Sequence, residues 1–421
     1  MQLHNKILLG LFVGAVAGVT ANTFAADAVW LNWIIDNVAN PVGQVFLRML
    51  LMTVVPLVFA SITLGVAGIG NIKHLGGIGG RTLAYFLFST TVSVVIGLTL
   101  VNTFHPGAGL DPALRQQLMD TYQTQTEGLQ QREVALDVSL LVNMVPRNAV
   151  QAAANMDMLA VIFFSIVFGA ALTLISKDRA APMLRLLEAL GDVVIKIIDF
   201  AMKLAPYGVF GLIFVVTSRF GWNVLGELGG YVAIVVAGLF IHGAVGLSLF
   251  VKFFARRSPL EFWKKIRAVM VTAFSTSSSN ATLPTSIKVA EEELGISPKV
   301  AGFVLPLGAT MNMNGTSLYE GITVLFLAQV FGVDLNVGQQ LVVLLLSVIT
   351  AVGAAGVPGG SLPLIMVMLA TVGVPAEGIG IILGVDRILD MCRTTVNVAG
   401  DLSAAAYIDR IERRPEATTA A

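Results

Sequence analysis

The sequence predicts an all-α integral membrane protein with eight transmembrane helices and two re-entrant helical hairpins. Three observations predict it. Of the 421 residues, 56% are hydrophobic and 12% charged, about half the charged share of a soluble chain, and the mean hydropathy is +0.82. Apolar runs of about 20 residues, the length that crosses a bilayer, recur along the chain. Two further apolar stretches are broken in the middle by Gly, Ser and Pro. A water-soluble globule of this length has too little interior to hide so much apolar side chain. Lys plus Arg (26) balances Asp plus Glu (26), so the charge does not point to nucleic acid. The single Cys392 excludes an internal disulfide, the four His residues lack zinc spacing, and no GxxxxGKS/T phosphate loop occurs. An enzyme or an ATP-driven pump is therefore not expected.

Six ordinary spans come first, near 7–26, 43–70, 82–104, 157–176, 190–217 and 229–255. The first ends in Ala26, Asp27 and Ala28, which resembles a signal-peptide cleavage site, but its apolar run exceeds a usual h-region. It is read as a span. Between His105 and Asn155, Pro106, Gly107 and Gly109 open the polar run QQLMDTYQTQTEGLQQRE, expected to be an aqueous loop. Lys73, Arg81, Lys177, Arg179, Arg256, Arg257, Lys264, Lys265, Arg267, Arg410, Arg413 and Arg414 fall in alternate connections and at the C-terminus. Residues 27–42 hold only Asp27 and Asp36. The positive-inside rule then places both termini in the cytoplasm.

From about residue 260 the pattern changes. Residues 259–297 are interrupted by STSSSNATLP (Ser275 to Pro284), and 335–375 by GAAGVPGGSLP (Gly353 to Pro363). Each half is too short for a core of about 30 Å, so each stretch reads as a helix–break–helix that enters and leaves on one side. The alternative, loops between short spans, puts Lys288, Glu291, Glu292 and Glu293 on a side inconsistent with the C-terminal basic residues. Interrupted segments in corresponding positions point to a transporter's binding site, because irregular backbone is tolerated at membrane depth only against protein or a cavity. Between them, span 298–330 contains Gly308, Ala309, Thr310, Met311, Asn312, Met313, Asn314, Gly315 and Thr316. Unwinding there frees carbonyls for alkali cations; helix-packing asparagines are the competing reading.

The last span, Gly380 to Tyr407, carries Asp386, Asp390, Arg393, Asn397 and Asp401. At about 100° per residue these five share a stripe about 80° wide. Ionisable residues inside a span are costly and mark a substrate or ion path; an ion-pair ladder of Asp386, Asp390 and Arg393 is the structural alternative. Arg393 offers a bidentate partner for a carboxylate, Asp390 one for an ammonium, and Asn397 with the amides of the serine-rich tip one for a second carboxylate. Together these describe a dicarboxylic amino acid. Asp401 is left to neutralise a cation.

Three motifs occur in order: SSSNATLP at the first hairpin tip, NMNGT where relatives write NMDGT, and DRILDMCRTTVNVAGD in the last helix. With them the whole chain, from the first span through Tyr407, resembles the glutamate transporter family of dicarboxylate/amino acid:cation symporters. The resemblance implies a homotrimer in a plasma or inner membrane, with lipid around it. It also implies an elevator mechanism in which a transport domain moves against a fixed scaffold. On that template residues 1–80 hold scaffold helices 1–2, 81–110 transport-domain helix 3, and 111–220 a loop with scaffold helices 4–5. Residues 221–258 hold transport-domain helix 6, 259–297 the first hairpin, 298–332 the unwound helix 7, 333–376 the second hairpin as gate, and 377–412 helix 8. Residues 413–421 are expected to form a disordered tail.

The resemblance assigns the side-chain carboxylate of L-aspartate or L-glutamate to Arg393 and Thr316. The amino group falls to Asp390, Thr394 and the Val357 carbonyl, and the α-carboxylate to Asn397 and the Ser279 amide beside Ser277 and Ser278. Gly356, Val357, Pro358, Gly359 and Ser361 form the gate tip. Carriers of C4-dicarboxylates or neutral amino acids lack the DMxRTxxNxxGD arrangement, which favours acidic amino acids here. One sodium site is implied at carbonyls of Gly308, Asn312 and Asn397 with Asp401, and a second near Thr310, Ala351, Val352 and Ala354. The third departs from the family. Asn314 replaces its aspartate and Phe86 its tyrosine, while Ser89 and Thr90 keep their hydroxyls. An amide cannot neutralise a buried cation as a carboxylate does, so fewer sodium ions, or protons instead, are expected to be coupled. No other cofactor is expected. An anion channel on the same polar stripe is the alternative from another class.

Overall fold

The structure, a computed structural model, describes residues 3–25, 28–72, 77–109, 145–155, 158–221, 223–352, 356 and 358–419. It is helical throughout these residues, as the apolar periodicity predicts. The helices are α1 (Leu3–Ala25), α2 (Val29–Ile34), α3 (Asn40–Leu51), α4 (Val54–Ile72), α5 (Gly77–Phe104), α6 (Ala149–Ala154), α7 (Met158–Leu172), α8 (Lys177–Phe220) and α9 (Asn223–Phe240). A π-helical stretch, Ile241–Leu247, leads to α10 (Ser248–Phe253), followed by α11 (Pro259–Lys265), α12 (Arg267–Thr276), α13 (Ser279–Glu292), α14 (Pro298–Met311), α15 (Asn314–Phe331), α16 (Val337–Ala351), α17 (Leu362–Thr371) and α18 (Leu383–Thr419).

Five helical runs among the described residues are long and apolar enough to cross a membrane: Asn5–Ala25, Val29–Gly68, Ile78–Phe104, Lys177–Arg219 and Gly226–Phe253. They correspond to five of the six ordinary spans; α7, 15 residues long, stands at the fourth. Two runs are longer than the apolar pattern alone suggests. The second starts at Val29 rather than near 43, because α2 passes through a π-helical stretch, Ile35–Ala39, straight into α3. The fourth, Lys177–Arg219, belongs to a 44-residue helix whose polar opening, Lys177–Asp192, simply continues it. Pro182 sits early in α8, and the good helix formers that follow it, such as Leu184, Arg185, Leu186, Glu188 and Ala189, supply no stop. The polar run after Leu110 lies outside the described residues.

The interrupted segments fold as hairpins. In the first, α12 runs 10 residues and stops at Ser277, which adopts φ 50° and ψ 35° in the left-handed region. The Ser278 hydroxyl caps α13 by accepting from the Ala281 amide at 3.2 Å. At 1.5 Å per residue α12 is about 15 Å long and α17 the same, half a hydrocarbon core. The second hairpin opens with a capping box, Asn336 and Gln339 exchanging bonds of 2.9 Å. Between the hairpins, α14 and α15 are parted at Asn312 and Met313, where the glycine- and asparagine-rich segment is expected to unwind. At the C-terminus, where a disordered tail is expected from 413, α18 runs to Thr419; Arg413, Arg414 and Glu416 are strong helix formers.

Packing divides the chain into two sets. In one, α8 lies along α1, α3 and α4, and α4 along α7. In the other, α15 is surrounded by α5, α9, α16 and α18, and α18 also receives α12, α13 and α14. The α15 helix is buried almost end to end. The sets meet where α17 touches α3 and α4 and where α1 touches α18. The polar stripe of α18 therefore faces the first hairpin and the break in span seven.

Candidate functional site

Arg393 is 2% exposed and lies at the centre. Its Nη1 donates to Asp386 Oδ1 at 2.8 Å and its Nε to Asp390 Oδ1 at 3.0 Å. The guanidinium stacks over the Tyr319 ring, 4.3 Å from its centroid, and the Tyr319 hydroxyl donates to the same Asp386 oxygen at 2.8 Å. The stripe spacing makes this possible: residues at i, i+4 and i+7 lie on one helix face. The ion-pair ladder considered as the structural alternative is thus present. It does not exhaust the guanidinium, since Nη2 has no partner among the described residues. Asp390 Oδ2 accepts the Gly359 amide at 3.0 Å, tying the gate tip to the charged stripe.

One turn further on, Asn397 spans the unwound segment. Its Oδ1 accepts the amides of Gly315 and Thr316, at 2.7 and 3.2 Å, and its Nδ2 donates to Thr316 Oγ1 at 2.9 Å. The close approach demands glycine at 315, because a Cβ there would stand 2.4 Å from the Arg393 carbonyl oxygen. The two hairpin tips meet above this floor. Ser278 Oγ donates to the Gly356 carbonyl at 2.7 Å, and the Asn280 amide reaches the same oxygen at 3.4 Å.

Between tips and floor is a cavity of about 10 Å³ lined by Ser277, Ser279, Met313, Thr316, Gly356, Ser361, Asp390, Arg393, Thr394 and Asn397. That is about one water's volume, so a larger ligand enters only when the tips part. The buried hydroxyls of Ser277 and Ser361 have no hydrogen-bond partner among the described residues, and buried polar groups are normally satisfied. Of the substrate residues named from sequence, Ser277, Ser279, Thr316, Gly356, Ser361, Asp390, Arg393, Thr394 and Asn397 line it, Ser278 and Gly359 bond to its edge, and Pro358 instead faces a separate hollow with Phe200, Met202 and Arg387. Val357 lies outside the described residues.

The expected cation positions fare differently. Asp401, 3% exposed, accepts from Asn312 Nδ2 at 2.8 Å, and the Asn312 side-chain oxygen Oδ1 is buried without a partner among the described residues. A Cβ at Gly308 would stand 2.5 Å from Asp401 Oδ1, so glycine lets α14 close on the carboxylate. Oxygen-rich surroundings with one carboxylate fit a hard monovalent cation, and Gly308, Asn312, Asn397 and Asp401 are the residues that would hold it.

The third position does not fit one. Asn314 Nδ2 donates to Ser89 Oγ, Thr90 Oγ1 donates to Asn314 Oδ1, both at 2.8 Å, and the Ser93 hydroxyl donates to the Asn314 carbonyl. A donor nitrogen stands where a cation would need an oxygen, and Phe86, buried on the helix that carries Ser89 and Thr90, has no hydroxyl to offer. At the second position Thr310 is exposed and its hydroxyl bonds back to the Leu307 carbonyl at 3.1 Å. Ala351 and Val352 end α16, and Ala354 lies outside the described residues. No group of three or more His, Cys, Asp or Glu side chains among the described residues makes a metal cluster.

Residues 3–411 match the family model described as the Sodium:dicarboxylate symporter family. The chain belongs to that family. It is a multi-pass membrane transporter, not an enzyme. It is 36% identical to a proton/glutamate-aspartate symporter of Escherichia coli (strain K12) over 413 residues, covering 97% of this chain and 92% of the relative. Identity to a proton/sodium-glutamate symport protein of Bacillus subtilis (strain 168) is 37% over 411 residues, 97% and 92% of the two chains. A C4-dicarboxylate transport protein of the same organism is 32% identical over 417 residues, covering 98% and 95%.

The transporter also holds functional groups that the sequence reading passed over. Tyr319 orients Asp386 under Arg393. Glu320, fully buried, accepts from Thr350 Oγ1 at 3.0 Å through Oε2, while Oε1 has no partner among the described residues. Both follow NMNGT inside an apolar span, and an ionisable residue within a span is itself a signal. His242 is buried in the π-helical stretch with neither ring nitrogen bonded.

Proposed function

We propose that this symporter carries acidic amino acids, L-aspartate or L-glutamate, across a cell membrane with both termini in the cytoplasm. The carrying observation is a buried arginine flanked by two carboxylates beneath two meeting hairpin tips. In this reading the substrate's side-chain carboxylate joins Arg393 and Thr316. Its ammonium goes to Asp390 and Thr394 with the Val357 carbonyl, and its α-carboxylate to Asn397, Ser277 and the amides of Ser278 and Ser279. The fixed negative charge of Asp390 argues against a C4-dicarboxylate, which brings no ammonium to balance it.

Transport proceeds by an elevator in a homotrimer embedded in lipid. The α1, α3, α4, α7 and α8 set is the scaffold, and α5, α9, α10, both hairpins, α14, α15 and α18 move. Gly356, Pro358, Gly359 and Ser361 open and close the site. Sodium coupling is reduced: the Asp401 position is retained, the Asn314 position is lost, and the position near Thr310, Ala351, Val352 and Ala354 carries no fixed charge. Glu320 supplies a proton-carrying group in their place. A fully buried carboxyl bonded to one hydroxyl, with no Lys or Arg nitrogen within 4 Å among the described residues, can cross loaded with a proton and return without it.

The test is competition. L-aspartate and L-glutamate should displace labelled L-aspartate from the purified protein far better than succinate or malate, and Asp390→Asn should narrow that gap. Equal displacement by succinate sinks the amino acid reading and leaves the C4-dicarboxylate reading standing.

A further inference from the structure

A second cavity of about 600 Å³ lies on the far side of α18 from the substrate site. Among the described residues it is lined by α9, the π-helical stretch, α10, α11, α12 and α18, and by none from α1, α3, α4 or α8. Its sides are apolar: Val236, Phe240, Met270, Phe274 and Val396 among them. Phe240 and Phe274 are exposed. The π-helical stretch explains the hollow. Its wider turn brings Gly243 and Ala244 to the floor, where small side chains leave the space unfilled, and π-bulges recur at functional sites.

One end of the hollow is different in kind. Arg267 stands there, exposed, with Nε donating to the Lys264 carbonyl at 3.0 Å and no acidic side chain within 4 Å among the described residues. Lys264, Lys265 and Arg256 belong to the same short connection. Trp263 also lines that end, its ring nitrogen donating to Ser248 Oγ at 2.8 Å. A tryptophan with a satisfied polar edge is typical of the membrane–water interface.

We propose that this groove is a binding site for an anionic phospholipid, one acyl chain lying between α9, α12 and α18 and the headgroup phosphate at Arg267. An apolar slot that ends at an unneutralised guanidinium complements one molecule that is apolar along its length and negative at its head. A zwitterionic lipid places a positive group beside the same arginine and loses that advantage. Since every wall belongs to the set of helices proposed above to move, the lipid travels with the substrate site.

The experiment uses Trp263 as reporter. Full-length protein carrying Trp30→Phe, Trp33→Phe and Trp222→Phe is titrated in detergent with phosphatidylglycerol brominated in its acyl chains, and separately with the matching phosphatidylcholine. Quenching by phosphatidylglycerol is expected to saturate, with half-saturation at about fivefold lower lipid mole fraction than for phosphatidylcholine, the factor one basic side chain supplies. Arg267→Gln should remove the difference, and Ala244→Phe, which fills the floor, should remove the saturable quenching. L-Aspartate affinity, unchanged in both variants, reports that each is folded. Equal quenching by the two lipids, a difference that survives Arg267→Gln, or saturation that survives Ala244→Phe overturns the site. So does an absence of quenching, the result expected if a second copy of the chain covers this face.

Discussion

Replacing Asn314 by aspartate supplies the charge that the motif NMDGT would carry at this position, and its consequences can be worked from the site. The Asn314 side chain has two bonds, Nδ2 to Ser89 Oγ and Oδ1 from Thr90 Oγ1, both at 2.8 Å, and the residue is fully buried. A carboxylate in its place keeps Thr90 as donor and can take Ser89 as a second if that hydroxyl rotates. Burying the ion costs several kcal/mol after relaxation. Two charge-assisted bonds return roughly 3 kcal/mol, which leaves a deficit of about 2 kcal/mol, or about 30-fold at 1.4 kcal/mol per decade. No basic side chain lies within 4 Å among the described residues to offset it, so the deficit weighs on the cation-free state and sodium relieves it. The assay is calorimetric L-aspartate binding across sodium concentration, with choline as replacement and pH held fixed. Asn314→Asp combined with Phe86→Tyr should bind more weakly at the lowest sodium and gain one unit of slope in log affinity against log sodium. A folded double variant whose slope equals that of the parent protein refutes the reading of Asn314 as a lost cation site.

Three further substitutions bear on the site. Asp390→Asn keeps an acceptor for the Gly359 amide but removes the charge facing an ammonium, so L-aspartate affinity should fall ten- to 100-fold while succinate is far less affected, read by competition binding. Glu320→Gln retains the Thr350 bond and the volume. Proteoliposome uptake driven by a proton gradient should collapse while homoexchange of aspartate persists; gradient-driven uptake that survives removes Glu320 from proton coupling. Gly308→Ala forces a methyl to within 2.5 Å of Asp401 Oδ1, which must displace the carboxylate. Sodium dependence should weaken, with half-maximal sodium raised about tenfold or more, and an unchanged sodium titration counts against Asp401 as a cation ligand.

How much of this was legible in the sequence depends on whether a feature is local. The stripe of Asp386, Asp390, Arg393, Asn397 and Asp401 follows from helix geometry alone, and the breaks at Ser277, Asn312 and Gly356 follow from residues that leave the helix readily. The ladder of Asp386, Asp390 and Arg393 was legible too, as the structural alternative, because its members are three and seven residues apart on one helix. That Tyr319 holds Asp386 from the other side was not, since it depends on how α15 packs on α18 at a separation of 67 residues. The tip-to-tip bond from Ser278 to Gly356 spans 78 residues and is equally invisible to periodicity. The unbroken α8 escaped for the opposite reason. Its polar first turns carry no hydropathy signal, although their helix propensity is high.

The two asparagines of the NMNGT break carry opposite meanings, and the contrast is what makes altered coupling a physical argument rather than a motif comparison. Asn312 donates to a carboxylate, Asp401, and leaves its own oxygen unpaired; the pair still holds an uncompensated negative charge and a spare acceptor, which a cation satisfies. Asn314 donates to a hydroxyl and accepts from another, and the amide is complete as it stands. A Cβ at Gly400 would come within 2.7 Å of the Asn314 nitrogen and 3.1 Å of the Asn312 nitrogen, so both amides close over the same bare stretch of α18. With aspartate at 314 two carboxylates would lie near one another, and their repulsion would favour binding of a first cation over a second. With asparagine only Asp401 remains to be neutralised, and one monovalent cation closes the local charge. The remaining negative charge that must be managed during the loaded crossing is then Glu320, which a proton neutralises without any coordination shell.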